Sequence, residues 1–116
     1  MTTTRIYHNP RCSKSRQTLE LLRENGVEPE IVEYLAATPN ADELRRVADM
    51  LGVAPAAFAR KKECAEAGID PESVSAEDLF AAMAANPAII ERPIVVHGDR
   101  AVLGRPPENV LDLLKH

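Results

Sequence analysis

The sequence predicts an α/β fold: a four-stranded mixed sheet with helices packed on it and a helical insertion between the second and third strands. Three observations predict this fold. Two β-leaning stretches with a helical pattern between them open the chain, three helical patterns occupy the middle, and a hairpin followed by a last helix closes it. Since 116 residues suit one hydrophobic core, we expect a single domain.

The first three elements form a predicted βαβ unit. TRIYH at 4–8 is typical of a strand and is followed by an Asn-Pro turn. From Ser13 apolar residues recur with helical spacing, and Gly26 is placed to end this helix. EIVEYL at 30–35 predicts a second strand, parallel to the first because a helix connects them. Cys12 therefore stands at the start of the first helix.

The helical insertion contains three predicted helices. Asn40 and Glu43 match a capping box that begins the first, and Gly52 ends it. The second is predicted over 54–66 and the third over 75–85.

The end of the chain predicts a hairpin and a helix. PIVV at 93–96 and AVL at 101–103 form the two strands, joined through a tight turn at Gly98. Pro106 opens the last helix, because proline is favoured in a first helical turn.

Composition excludes several classes of protein. No apolar run approaches the roughly 18 residues of a membrane span, and MTTTRIYHNP lacks the apolar centre of a signal peptide. We therefore expect a cytoplasmic protein, without membrane association, whose thiols are kept reduced. A net charge of -4 and a pI near 5.4 argue against a nucleic-acid-binding surface.

Cys12 is the main candidate for chemistry. Its neighbours are polar or charged, so the local sequence offers the thiol no apolar face on which to pack as a structural residue. A helix N-terminus and the cations Arg11, Lys14 and Arg16 both favour the thiolate. The pattern predicts a nucleophile.

The spacing around Cys12 excludes other thiol chemistry. Ser15 makes the motif C-x-x-S, which lacks the second cysteine of a dithiol pair, and Thr18 stands where a phosphatase-type loop would need arginine. The cysteines and histidines show no zinc-binding spacing, so we expect no bound metal or cofactor. Cys64 has two interpretations, a resolving thiol or a small residue packed on a helix, of which the second is favoured.

Four further residues have less specific patterns. His8 is either a solvent-facing residue at a strand end or an imidazolium that stabilises the Cys12 thiolate. Arg92 and Arg105 each lie in a loop at the end of a predicted strand, where α/β sheets gather ligand contacts. Arg60 is uninformative by itself.

Four segments in order resemble the glutaredoxin-coupled arsenate reductase family, especially its short branch. They are IYHNPRCSKSRQTLELLRENGVEP at 6–29, RKK at 60–62, ERPIVV at 91–96 and GRPPENVLDLL at 104–114. The resemblance implies a thioredoxin-like fold and a single arsenate reductase-like domain over 1–116, with its helical insert at about 40–87.

The resemblance also implies roles for six residues. Cys12 is the nucleophile, His8 favours its thiolate and Ser15 hydrogen-bonds the sulfur. The residues expected to bind the substrate oxyanion are Arg60, Arg92 and Arg105. A cis Arg92–Pro93 bond is implied as well, whereas Arg11 and Lys14 replace small uncharged residues of the plasmid-type enzymes.

The implied activity is reduction of arsenate to arsenite through a covalent cysteine–arsenic adduct, with glutathione as co-substrate and glutaredoxin as partner. Two alternatives keep the reactive cysteine. One is a general glutathione-linked monothiol oxidoreductase without arsenate specificity. The other is a redox-sensing regulator that binds RNA polymerase, for which the serine of C-x-x-S is unfavourable because such regulators tend to carry C-x-x-C.

Overall fold

Four short strands form one mixed sheet in the order β2-β1-β3-β4. They are β1 (Thr4–Tyr7), β2 (Glu30–Val32), β3 (Ile94–His97) and β4 (Arg100–Leu103). β1 pairs parallel with β2 and antiparallel with β3, and β3 pairs antiparallel with β4. The structure, a computed structural model, describes residues 3–114 and confirms the predicted mixed sheet.

The described residues divide into two compact units, residues 3–37 with 92–114 and residues 38–91. The first unit contains the sheet, and its helices are α1 (Ser13–Glu24) and α5 (Asn109–Leu113). The helices of the second unit are α2 (Ala41–Leu51), α3 (Lys61–Glu66) and α4 (Ala76–Ala85). None of the helices described within 3–114 is long and apolar enough to cross a membrane.

The core of the first unit forms where α1 and α5 pack on the sheet. Ile6 of β1 and Val95 of β3 are fully buried with Leu22 of α1 and Val110 of α5. These side chains recur at strand and helix periods, which is the pattern that predicted the elements. Burial of this apolar area fixes α1 on the sheet.

A capping residue defines each end of α2 in the second unit. Asn40 Oδ1 accepts a hydrogen bond from the amide of Glu43 at 2.9 Å. Gly52 ends the helix in the left-handed region, with φ of 72°. Both predicted boundaries of this helix are confirmed.

The helix predicted over 54–66 is wrong in its first half. Pro55–Phe58 form a 3-10 turn, and Ala59 then pairs with Ile90 in an antiparallel bridge. Only Lys61–Glu66 are α-helical. The alanines of this segment favour a helix locally, but backbone pairing with a segment 31 residues away prevails.

Two other boundaries also differ from the prediction. β2 ends at Val32, three residues early, because the Glu33 carbonyl accepts hydrogen bonds from the amides of Ala36 and Ala37 and turns the chain. The last helix begins at Asn109, three residues later than predicted.

Gly104 follows β4 at a point that has no room for a side chain. A Cβ there would lie 2.7 Å from Thr18 Oγ1, 2.9 Å from Thr18 Cγ2 and 2.8 Å from Pro93 Cγ. A β-branched helical residue and a proline ring are both stiff. We expect Gly104→Ala to lower the free energy of unfolding by about 1–3 kcal/mol in urea denaturation.

A double variant tests the cause of this loss. Thr18→Ala removes two of the three close atoms. The Thr18→Ala/Gly104→Ala protein should therefore be more stable than the sum of the two single losses predicts. Strict additivity would contradict the steric explanation.

Candidate active site

Cys12 is the N-cap residue of α1, as the sequence predicted. Its backbone is extended, with φ of -90° and ψ of 122°, and its carbonyl accepts the helical hydrogen bond from the Arg16 amide at 3.0 Å. Its own amide donates to the Asn9 carbonyl at 3.0 Å, which closes the turn between β1 and α1. The side chain caps no helix amide, and the thiol is half-buried.

Arg105 reaches the sulfur of Cys12. Its Nη1 lies 4.0 Å from Cys12 Sγ and donates to the Arg92 carbonyl at 3.2 Å. Arg92 precedes β3 and Arg105 follows β4, so the two arginine loops meet at one edge of the sheet. The Arg92–Pro93 bond is cis, as expected, and the Arg105–Pro106 bond is cis as well.

His8 and Ser15 form a buried polar pair behind the Cys12 turn. Their side chains are hydrogen-bonded, with His8 Nδ1 2.6 Å from Ser15 Oγ, and the Asn9 amide donates to the same oxygen at 3.1 Å. The residues are 6% and 0% exposed, so the solvent-facing interpretation of His8 is wrong. The Ser15 hydroxyl bonds to His8 and Asn9 rather than to the sulfur expected from the resemblance.

Burial lowers the pKa of His8 below its usual value of 6.5. The carboxylate of Glu33 acts in the opposite direction, and the cations Arg16 and Arg23 reinforce the decrease. The imidazole is therefore neutral at neutral pH, which differs from the expected imidazolium. The ring is hydrogen-bonded to Ser15, and this bond supports the turn that carries Cys12.

Three exposed cations flank Cys12 without ion pairs among residues 3–114. They are Arg11, Lys14 and Arg16, and the last donates to the Pro10 carbonyl at 2.9 Å. In contrast, Arg5 pairs with Glu30 and Arg23 pairs with Glu28. The positive charge beside the cysteine is thus not neutralised by these carboxylates, which favours anions near the thiol.

Arg60 belongs to the second unit and has two carboxylate partners there. Its Nη1 lies 3.3 Å from Glu63 Oε2, and its Nε lies 3.7 Å from Glu91 Oε1. All three side chains are largely buried. This expected oxyanion ligand therefore has its charge compensated within its own unit.

Cys64 is a fully buried residue of α3. Burial raises the pKa of its thiol, and the neighbouring Glu63 carboxylate adds to the increase. Both effects keep Cys64 protonated and unreactive. The packed, structural interpretation is supported over that of a resolving thiol.

No group of three or more metal-ligating side chains occurs in the described part of the chain.

The sequence pattern did not reveal the residues that hold the Arg105 loop. Thr18 is 0% exposed and its Oγ1 lies 3.2 Å from the Gly104 carbonyl, although the sequence indicated only that it stands where a phosphatase-type loop would need arginine. Asn109 Nδ2 donates to the carbonyls of Leu103 and Arg105 at 3.1 and 3.2 Å. Asn109 lay inside the helix predicted from Pro106, so no sequence signal indicated these bonds.

Known proteins are similar to this chain in sequence and fold. The ArsC family model matches residues 7–113. The uncharacterized protein YfgD of Escherichia coli K12 is 50% identical over 113 residues, 95% of each chain. Arsenate reductase of Haemophilus influenzae is 44% identical over 112 residues, 94% of this chain and 97% of that protein. The structure of arsenate reductase from Vibrio cholerae has a TM-score of 0.88 at 44% identity and covers 97% of this chain and 98% of its own. The expected family and thioredoxin-like fold are confirmed.

The lowered pKa of His8 predicts acid sensitivity of the fold. Between pH 6.5 and the lower pKa in the folded protein, the unfolded chain binds the proton first. The contribution of His8 to the free energy of unfolding should therefore be constant above about pH 7 and fall as the pH decreases below 6.5, by at most about 1.4 kcal/mol per pH unit.

Urea denaturation from pH 5 to 8 measures this dependence. His8→Asn keeps an amide near the Nδ1 position and removes the titrating group, so the His8 contribution should disappear. His97→Asn is the matched control and should keep that contribution. A pH profile identical in wild type and His8→Asn would contradict the assignment.

Proposed function

Because the chain belongs to the ArsC family, we propose that it is an arsenate reductase that uses Cys12 as its nucleophile, glutathione as co-substrate and glutaredoxin as partner. The observation that carries this proposal is the Arg105 guanidinium 4.0 Å from Cys12 Sγ at the N-terminus of α1. The names of the Haemophilus and Vibrio relatives support arsenate as the substrate.

Oxyanion binding is the first step of the proposed reaction. Arg92 and Arg105 bind arsenate through charge-assisted hydrogen bonds, since a planar guanidinium matches two oxygens of a tetrahedral anion. The amides of the first turn of α1 add donors beside Cys12. These groups hold the arsenic atom against the sulfur.

Covalent chemistry follows at the sulfur. The Cys12 thiolate attacks As(V), and an arsenate oxygen leaves as water with two protons, which gives a cysteine–arsenic adduct. Glutathione then attacks the adduct. Two thiols lose one electron each, As(V) gains both and leaves as arsenite, and a Cys12–glutathione disulfide remains for glutaredoxin to reduce by thiol exchange.

His8 and Ser15 act behind the sulfur in this scheme. Their hydrogen bond and the bond from the Asn9 amide fix the turn that ends at Cys12. We propose that this pair orients the nucleophile through the turn rather than through an imidazolium charge, because burial keeps the ring neutral.

The ion pairs of Arg60 favour a second candidate function. The family resemblance assigns it to the oxyanion, yet Glu63 and Glu91 offset its charge. Weaker attraction for a multiply charged oxyanion favours the alternative of a glutathione-linked monothiol oxidoreductase that acts on glutathionylated protein thiols. Cys12 would then attack the mixed disulfide directly.

The variant Cys12→Ser tests the leading proposal. Arsenate-dependent glutathione oxidation, measured with glutaredoxin present, should fall to background. The serine hydroxyl stays protonated at neutral pH and cannot replace the thiolate as nucleophile. Cys64→Ala is the matched control and should retain the rate of the wild type, since Cys64 is buried and protonated. A wild-type rate no higher than that of Cys12→Ser would overturn arsenate reduction; turnover of a glutathionylated peptide would then support the second function.

Lysine substitutions test the arginines. Arg92→Lys and Arg105→Lys keep the charge but lose the bidentate fork, so the KM for arsenate should rise about tenfold. Arg5→Lys, at an exposed ion pair with Glu30, is the control and should leave KM unchanged. Equal KM values in all three variants would contradict the assigned role of the guanidinium groups.

A further inference from the structure

Side chains hold every carbonyl of the segment that carries Arg105. The Arg105 segment, defined as residues 103–105, connects β4 to the turn before α5. Asn109 Nδ2 donates one hydrogen to the Leu103 carbonyl at 3.1 Å and the other to the Arg105 carbonyl at 3.2 Å. Thr18 Oγ1 lies 3.2 Å from the carbonyl between them, that of Gly104.

Thr18 ties this segment to the helix that begins at Cys12. Its single hydroxyl hydrogen is shared between the Lys14 carbonyl at 2.7 Å and the Gly104 carbonyl at 3.2 Å, so the oxygen occupies a fixed place in the second turn of α1. The backbone of Gly104 approaches this side chain so closely that a Cβ would overlap it. The Gly104 amide donates to the Pro93 carbonyl at 2.9 Å, which fixes the same segment to the start of β3.

We propose that Asn109 and Thr18 are positioning residues that hold the Arg105 guanidinium at the sulfur of Cys12. Neither residue contacts Sγ in the described hydrogen bonds, and each acts through the backbone of the Arg105 segment. Without the two Asn109 bonds, the carbonyls on both sides of Gly104 lose their shared donor and the segment can rotate. Nη1 would then spend less time within 4.0 Å of Sγ.

The role of this placement in arsenate binding rests on the proposed function, whereas the charge at the sulfur does not. The rates at which two reagents alkylate Cys12 at pH 7 can report this charge. Iodoacetate is an anion, and iodoacetamide is neutral. The same thiolate attacks both, so its abundance cancels in the ratio of the two rates. The attraction of a nearby guanidinium for the reagent itself raises the rate with the anion and not the rate with the neutral reagent.

Arg105→Ala should lower the iodoacetate-to-iodoacetamide ratio by up to about fivefold, the effect of one charge at roughly 4 Å in water. Asn109→Leu keeps the shape of the side chain, loses both donors and should lower the ratio by about twofold. Thr18→Val loses the hydroxyl and should act in the same direction, while Thr18→Ser restores the ratio. The KM for arsenate should rise more than kcat falls in Asn109→Leu.

Asn25→Ala is the matched control, because Asn25 Nδ2 donates to the Leu21 carbonyl at the C-terminal end of α1, the end opposite to Cys12. Its ratio should equal that of the wild type. A wild-type ratio in folded Asn109→Leu overturns the proposal, and so does an unchanged ratio in Arg105→Ala. Because Asn109 is only half-buried, this variant decides the matter even if Thr18→Val does not fold. A lowered ratio without any arsenate turnover in the wild type would support the positioning role and refute the proposed substrate.

Discussion

The register of three paired strands brings the reactive groups of the first unit together. Tyr7 at the end of β1 pairs with Ile94 at the start of β3, and Ile94 pairs with Leu103 at the end of β4. Because neighbouring strands run in opposite directions here, one edge of the sheet receives the chain leaving β1, entering β3 and leaving β4. Cys12, Arg92 and Arg105 lie in those three connections.

The strand pattern and the position of Cys12 could be predicted because each depends on local sequence. Apolar alternation, turn residues and the capping pair Asn40 and Glu43 act over a few residues, and each is visible in the chain. Cys12 at the N-terminus of α1 follows from the same local signals. For Arg105 the local signal, a loop at the end of a strand, indicated only a general ligand contact, and its assignment to the oxyanion rested on a resemblance across four separated segments.

The features that escaped prediction depend on contacts between distant parts of the chain. The bridge from Ala59 to Ile90 overrides a helical composition. The burial that lowers the pKa of His8 arises in the folded chain, where the residue is 6% exposed, and a position at the end of a strand did not reveal it. The bond from Thr18 to Gly104 joins residues 86 positions apart, and such pairing has no signature in a single sequence.

Because Cys64 is buried, a thiol-directed label can reach Cys12 but not Cys64, and one label should attach per chain. A maleimide-linked dye or spin label added near neutral pH meets one half-buried thiol at the start of α1 and one that is sealed within α3. The reporter therefore attaches beside the arginine loops without prior removal of the other cysteine. Magnetic resonance or fluorescence can then follow events at that edge of the sheet in the native sequence.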